Sequence, residues 1–138
     1  MSDTTGLTKD AGWQVGVRRT IPGADAGEVW RFLTSSAGTR LWLGDGVILG
    51  DRGGTWEAAD GTGGEIRSRR EHDRIRVTMS QSGGHETTVQ MTVRATARGA
   101  TIGFHEERMQ SVAERTERKA HWERVHETIR DAVIGSRP

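Results

Sequence analysis

"SVAERTERKAHWERVHETIRDAVIG", residues 111–135, decides how the rest of the chain is arranged. Ser111 and Glu114 have capping-box spacing, and helix-favouring residues run on to Gly135, where a left-handed C-terminal cap is expected. At about 100° per residue, Trp122, Val125, Ile129 and Val133 fall in a stripe roughly 80° wide. A helix of this length spans roughly 33 Å at about 1.5 Å per residue, enough to cross a sheet. Its C-terminal half therefore has a side to bury.

Continuing the stripe backwards lands on Arg118, Arg115 and Ser111 instead of leucines. Two readings fit. In one, this end overhangs the core in water and Glu114 pairs with Arg118 at i, i+4. In the other, the underlying sheet curls away and leaves a cavity, with the arginines at its mouth near Glu106 or an anionic ligand group. His126 lies about 40° from Trp122, as a packed boundary residue, while His121 lies about 100° off and is expected in solvent. Their five-residue spacing turns the rings about 140° apart, which speaks against one shared metal ion. "HETIR" also lacks the second histidine of the metalloprotease helix motif.

What this helix covers is set by the preceding strands. "WQVGVRRTI" (13–21) alternates Trp13, Val15, Val17, Arg19 and Ile21 against polar or small residues, until Pro22 and Gly23 end it. In "ADAGEVWRFLTSS", Asp25 and Glu28 form a capping box for a helix whose apolar face is Val29, Trp30 and Leu33. "SAGTRLWLGDG" is a short second helical piece closed by glycines. "GGTWEA" and "GGEIRSRRE" then flank Asp60-Gly61, a hairpin signal. In "RIRVTMS", Ile75, Val77 and Met79 face one way, and "SGGH" (82–85) turns the chain back. "TTVQMTVRATAR" sets Val89, Met91, Val93, Ala95 and Ala97 against polar residues, and "ATIGFHEE" sets Ile102, Phe104 and Glu106 on one side with His105 on the other. Strands joined by tight glycine turns make an antiparallel meander with one apolar face, and the last helix is its cover.

The 138 residues suit a single core, expected over 12–135 behind a mobile leader (1–11) and before a short tail (136–138). The 20 Lys and Arg interleave with 19 Asp and Glu, so charge gives a nucleic-acid role no support. "RSRR" (67–70) is diluted by Glu65, Glu71 and Asp73, as on a solvated sheet face. The absence of cysteine removes disulfides, thiolate zinc and cysteine nucleophiles, and fits a cytoplasmic location. The start resembles no secretory signal, and no apolar run reaches transmembrane length.

The motifs "RRTIPGADAGEVWRFLT", "LWLGDG", "GGTWEAADGTGGEIRS", "TTVQMTV", "TIGFHEERM" and "HWERVHETI" resemble, in their order, the START-like or SRPBCC superfamily. Within it they are similar to bacterial homologues of activators of the heat-shock-protein-90 ATPase. His121-Trp122 stands where that family usually has Gly-Trp, and the likeness covers about residues 12–134. It implies an α+β helix-grip fold: a curved antiparallel sheet around the C-terminal helix, two short helices after the first strand, and a cavity in between. Relatives bind lipids, sterols or polyketide-like molecules there, and some are cyclases or aromatases. No catalytic constellation is common to the superfamily, and the second domain of the eukaryotic chaperone activators is not contained in this length.

The expected function is binding of a small apolar or amphipathic ligand, without cofactor or metal, by a monomer or weak homodimer. The expected lining is Trp42, Trp56, Ile66, Val77, Met79, Met91, Val93, Phe104 and Trp122, with Glu106, Arg115 and Arg118 as polar contacts. Trp42 and Trp56 suit either pocket wall or core, whereas Trp13, Trp30 and Trp122 read as core. Replacing Arg118 by alanine is expected to weaken an anionic ligand and leave folding largely intact. A chaperone-associated interaction module and a cyclase or dehydratase using Glu106 are the alternatives, against a structural Glu106–arginine pair. "GDRGGT" lacks the P-loop lysine, "GDGVILG" has the wrong glycine spacing, and no G-x-S-x-G elbow is present.

Overall fold

A computed structural model of the chain describes residues 6–7, 12–81 and 84–135. Six strands form one antiparallel sheet in the order β1-β6-β5-β4-β3-β2, with a long helix and two short ones on its concave side. The strands are β1 (Trp13–Pro22), β2 (Thr55–Glu57), β3 (Gly63–Arg70), β4 (Arg74–Ser80), β5 (Glu86–Thr96) and β6 (Gly99–Met109). The helices are α1 (Ala26–Thr34), α2 (Ser36–Trp42) and α3 (Val112–Gly135). Strands β2 to β6 follow one another as a meander, and β1 returns to pair with the last of them. This is the helix-grip arrangement.

The alternation of apolar residues sets which face is inside. Val15, Val17 and Ile21 of β1 are buried, whereas Arg19, on the same side, stays exposed and reaches Glu123 of α3 at 3.6 Å. Ile75, Val77 and Met79 of β4, Val89, Met91 and Val93 of β5, and Ile102, Phe104 and Glu106 of β6 are all buried. Beyond Val93 the pattern fails to predict burial. Ala95 and Ala97 are exposed: β4 pairs with β5 only as far as Thr92, so Ala95 stands at an open edge although its partner Ala100 is buried, and Ala97 lies in the β5–β6 turn. Between β1 and β6, Trp13 pairs with Met109 but Val15 with Glu106, so β6 carries one extra residue in a bulge. Arg108, with φ at 72°, takes the left-handed conformation there.

Asp25 caps α1 by accepting from the Glu28 amide at 2.9 Å. Ser35 serves both short helices, donating its amide to the Phe32 carbonyl and capping α2 by accepting from Gly38. At the start of α3 the Ser111 hydroxyl accepts from the Glu114 amide, while Glu114 takes the Gln110 amide in return. Gly135 is still helical and not left-handed; nothing packs near it that would force the turn. Of the expected leader, Gly6 and Leu7 are described: the Gly6 carbonyl accepts from Gln14, and Leu7 bridges to Trp13. Its remaining residues, the tail and the centre of the 82–85 turn lie outside the described residues. Among those described, no helix is long and apolar enough to cross a membrane.

Gly38 separates two effects that usually go together. A helical glycine replaced by alanine should gain about 1 kcal/mol of helix propensity. Here the added Cβ would lie 1.9 Å from the Phe32 carbonyl oxygen and 2.7 Å from the Leu33 Cα, both backbone atoms that cannot rotate away. We expect the clash to win, with Gly38→Ala losing about 2 kcal/mol in urea unfolding. An unchanged or raised midpoint would show that the α1–α2 corner can open at little cost.

Candidate functional site

Strand parity places the Glu106 carboxylate under α3, in the core, with 2% exposure. A charge there must be matched. Arg118 Nε donates to Glu106 Oε1 at 2.7 Å, Trp122 Nε1 donates to the same oxygen at 2.9 Å, and the Thr87 hydroxyl donates to Oε2 at 2.7 Å. Arg118 and Trp122 stand four residues apart on one helix face, so a single turn of α3 delivers both. The guanidinium carbon also lies 5.4 Å from the Trp122 ring centroid, and Nη2 approaches the Met79 sulfur.

A pocket of about 230 Å³ opens beside this network, between the charged half of α3, the end of β4 and the start of β5. Its walls are Met79, Gln81, Gly84, His85, Thr87, Glu106, Glu114, Glu117 and Arg118. His85 Nε2 stands 3.1 Å from Glu114 Oε2 but out of alignment. It is the buried side-chain polar atom without a hydrogen-bond partner among the described residues.

Of the twelve residues proposed from sequence, Met79, Glu106 and Arg118 meet at this pocket. The others are distributed elsewhere. Trp42, Ile66, Val77, Met91, Val93, Phe104 and Trp122 belong to the closed core, each no more than 2% exposed. Phe104 stacks on Trp122 at 4.7 Å and meets Trp42 at 5.8 Å, so aromatic rings fill the space between sheet and helix. Trp42 donates its N–H to the Leu33 carbonyl, which satisfies it as a core residue. Trp56 is buried with its N–H on the Thr78 carbonyl, below an open depression near Ile48. Arg115 turns to the other side, where Nε donates to the Gln14 carbonyl at 2.7 Å. Glu114 and Arg118 do not pair with each other, since each has a nearer partner.

Thr87, His85, Gln81 and Glu117 were not anticipated. Thr87 left a signal, as a polar residue in phase with Val89 and Met91 on the inward side of β5. His85 and Gln81 flank a turn, where no periodicity points anywhere.

Both helix histidines depart from ordinary behaviour. His126 is buried, donates Nε2–H to the Val17 carbonyl at 2.8 Å, and has its pKa lowered chiefly by burial. His121 is half-buried, not in solvent, because its ring sits edge-on to Trp122 at 4.8 Å. Burial first, and the Arg118 charge second, bring its pKa down to about 4. Neither histidine belongs to a metal cluster: among the described residues no group of three or more His, Cys, Asp or Glu could hold an ion.

No family model matches the sequence, and no curated protein sequence matches it. Solved structures do. Protein MLL2253 from Mesorhizobium loti matches with a TM-score of 0.77 at 16% identity, covering 91% of this chain and 99% of that one. DynU16, of the dynemicin biosynthetic locus, gives 0.78 at 22% identity over 91% of this chain and 48% of its own. The Aha1 dimer from Colwellia psychrerythraea gives 0.71 at 12% identity, covering 87% and 95%. The likeness is one of fold.

The burial of Glu106 reverses the expectation that Arg118 is dispensable for folding. Arg118→Ala would leave a carboxylate charge alone in the core, a loss of about 3–5 kcal/mol. Arg118→Met combined with Glu106→Gln, which removes both charges and keeps an acceptor for Trp122, should recover most of it. Equal loss in single and double variants, read by chemical denaturation, would show that the pair is not the source.

For His121 the sign follows from a folded pKa below the unfolded value of 6.5. Between pH 6.5 and about 4 the unfolded chain takes up a proton that the folded chain refuses, so stability falls on acidification. The urea midpoint of the wild type should therefore drop more between neutral pH and the lower end of this window than that of His121→Gln. Parallel drops would mean that His121 titrates normally.

Proposed function

We propose that this chain is a small-molecule-binding domain of the START-like (SRPBCC) kind, holding an amphipathic ligand in the pocket under the first half of α3. The observation that carries the proposal is where the interior is filled and where it is not. Behind Glu106 the rings of Trp122, Phe104 and Trp42 close the apolar half of the grip. In front of it, about 230 Å³ stays open. That volume lies below the usual range of roughly 300–1,000 Å³ for drug-sized ligands, so the ligand is small. The Met79 side chain offers it an apolar contact and the polar rim orients it.

Binding is favoured over a catalytic role for Glu106, because both of its oxygens already accept from protein donors. A general acid or base needs a free oxygen within reach of the reacting proton. Fold likeness to DynU16 and Aha1 leaves the choice of ligand or partner open, since one fold hosts many functions.

The test is native mass spectrometry of freshly purified protein, followed by ligand-detected NMR with a library of small amphiphiles. Bound molecules should be displaced in Gln81→Trp, which narrows the rim at an exposed position. Binding untouched by Gln81→Trp would place the ligand elsewhere. An empty protein that instead recovers a chaperone in stoichiometric amount would favour an interaction module over a ligand binder.

A further inference from the structure

Resting on that pocket, we propose that it selects small organic cations, such as a primary amine on a short apolar body, over anions. The basis is a charge balance that the buried ion pair makes lopsided. Three carboxylates, Glu106, Glu114 and Glu117, line the pocket against one guanidinium, Arg118, and one imidazole, His85. Arg118 is committed to Glu106 at 2.7 Å and is 11% exposed, so its charge is already neutralised on the inner wall. What a ligand meets at the rim is Glu114 and Glu117.

Glu114 has a role of its own, since its Oε1 takes the Gln110 amide and a carboxylate is favoured in the first turn of a helix. Its Oε2 faces the pocket beside His85, whose Nε2 lacks a hydrogen-bond partner. Glu117 lies nearly a turn further on and exposed, and the start of the helix does not account for it. Two like charges three residues apart on one face oppose each other. An ammonium group between them relieves that repulsion and has N–H donors for both carboxylates and for an imidazole nitrogen. The carbon part of the same molecule lies against Met79. A carboxylate in this position would face both glutamates with no uncommitted cation to meet it.

The experiment compares hexylamine with hexanoate, matched in length and opposite in charge, by NMR titration of labelled protein at neutral pH and constant ionic strength. Hexylamine should bind about tenfold more tightly, as when two partly exposed charge contacts both change sign, and should shift the amides of residues 114–118 and Thr87. Glu117→Lys should abolish or invert the preference, while Glu127→Lys, the same charge change on the exposed far half of α3, should leave it intact. Equal or tighter binding of hexanoate to the wild type, with shifts at the same amides, overturns the charge selectivity and leaves the pocket standing. An amine preference that survives Glu117→Lys overturns it as well. If neither probe moves those amides, the pocket itself is refuted and the selectivity with it.

Discussion

The contact between Glu106 of β6 and the Arg118–Trp122 face of α3 is the constraint on which the interior depends. A carboxylate with 2% exposure costs several kcal/mol unless it is matched, and here a guanidinium, an indole N–H and a hydroxyl match it together. Two of these donors come from a single helix turn, so the contact measures position along α3 as well as supplying charge. Sliding the helix by one turn would bring Glu114 and Arg118, or Trp122 and His126, to the two donor positions and break the match to the carboxylate. An apolar interface alone would tolerate such a slip far better, because the hydrophobic effect is not directional. The pair acts less as a source of net stability than as a register mark between helix and sheet.

Once that register is set, the aromatic packing follows. Trp122 lies over Phe104, Phe104 meets Trp42 of α2, and His126 comes edge-on to the same phenyl ring while its Nε2–H is taken by Val17 of β1. These contacts tie four elements, α2, α3, β1 and β6, to one point, and they fill the volume between sheet and helix there. The bulge at Arg108 has a part in this. By adding one residue to β6 directly after Glu106, it bends the strand end and delivers the chain to the start of α3. One open space, of about 230 Å³, is then left beside the charged half of the helix, and another, of about 370 Å³, between its later half and β1.

Much of this was legible in the sequence because two periodicities carry it. The period of two put Glu106, Phe104 and Ile102 on the inner face, and the period of 3.6 put Trp122, Val125 and Ile129 on the buried stripe of α3. Extending that stripe nominated Arg118 and Arg115 alike, since the two differ by less than a turn. Only one of them meets Glu106. Arg115 meets the Gln14 carbonyl of β1 instead, a difference that depends on the curvature of the sheet. Curvature comes from bulges and twist, which leave no periodic trace. Periodicity also misplaced Ala95 and Ala97, whose alternation is regular although β5 has lost its β4 neighbour at the first and has given way to a turn at the second.

The character of the pocket was lost for a related reason. Counting charges along α3 suggests a basic mouth, with Arg115 and Arg118 on the face that points inward. Pairing reverses the sign: Arg115 is held by a backbone carbonyl of β1, a strand remote in sequence, and Arg118 by a carboxylate of β6, the strand that leads into the helix. The remaining carboxylates at the opening are then Glu114, read from the sequence as a cap, and Glu117, to which the sequence pattern gave no role. Local charge patterns report what a helix carries, whereas a pocket presents only what its partners have left uncommitted. Structures that share this fold at 12–22% identity keep the same elements with mostly different residues. Differences at the few positions where β4 ends, β5 begins and α3 makes its first turns are therefore enough to change what such a pocket accepts, without disturbing the sheet that holds it.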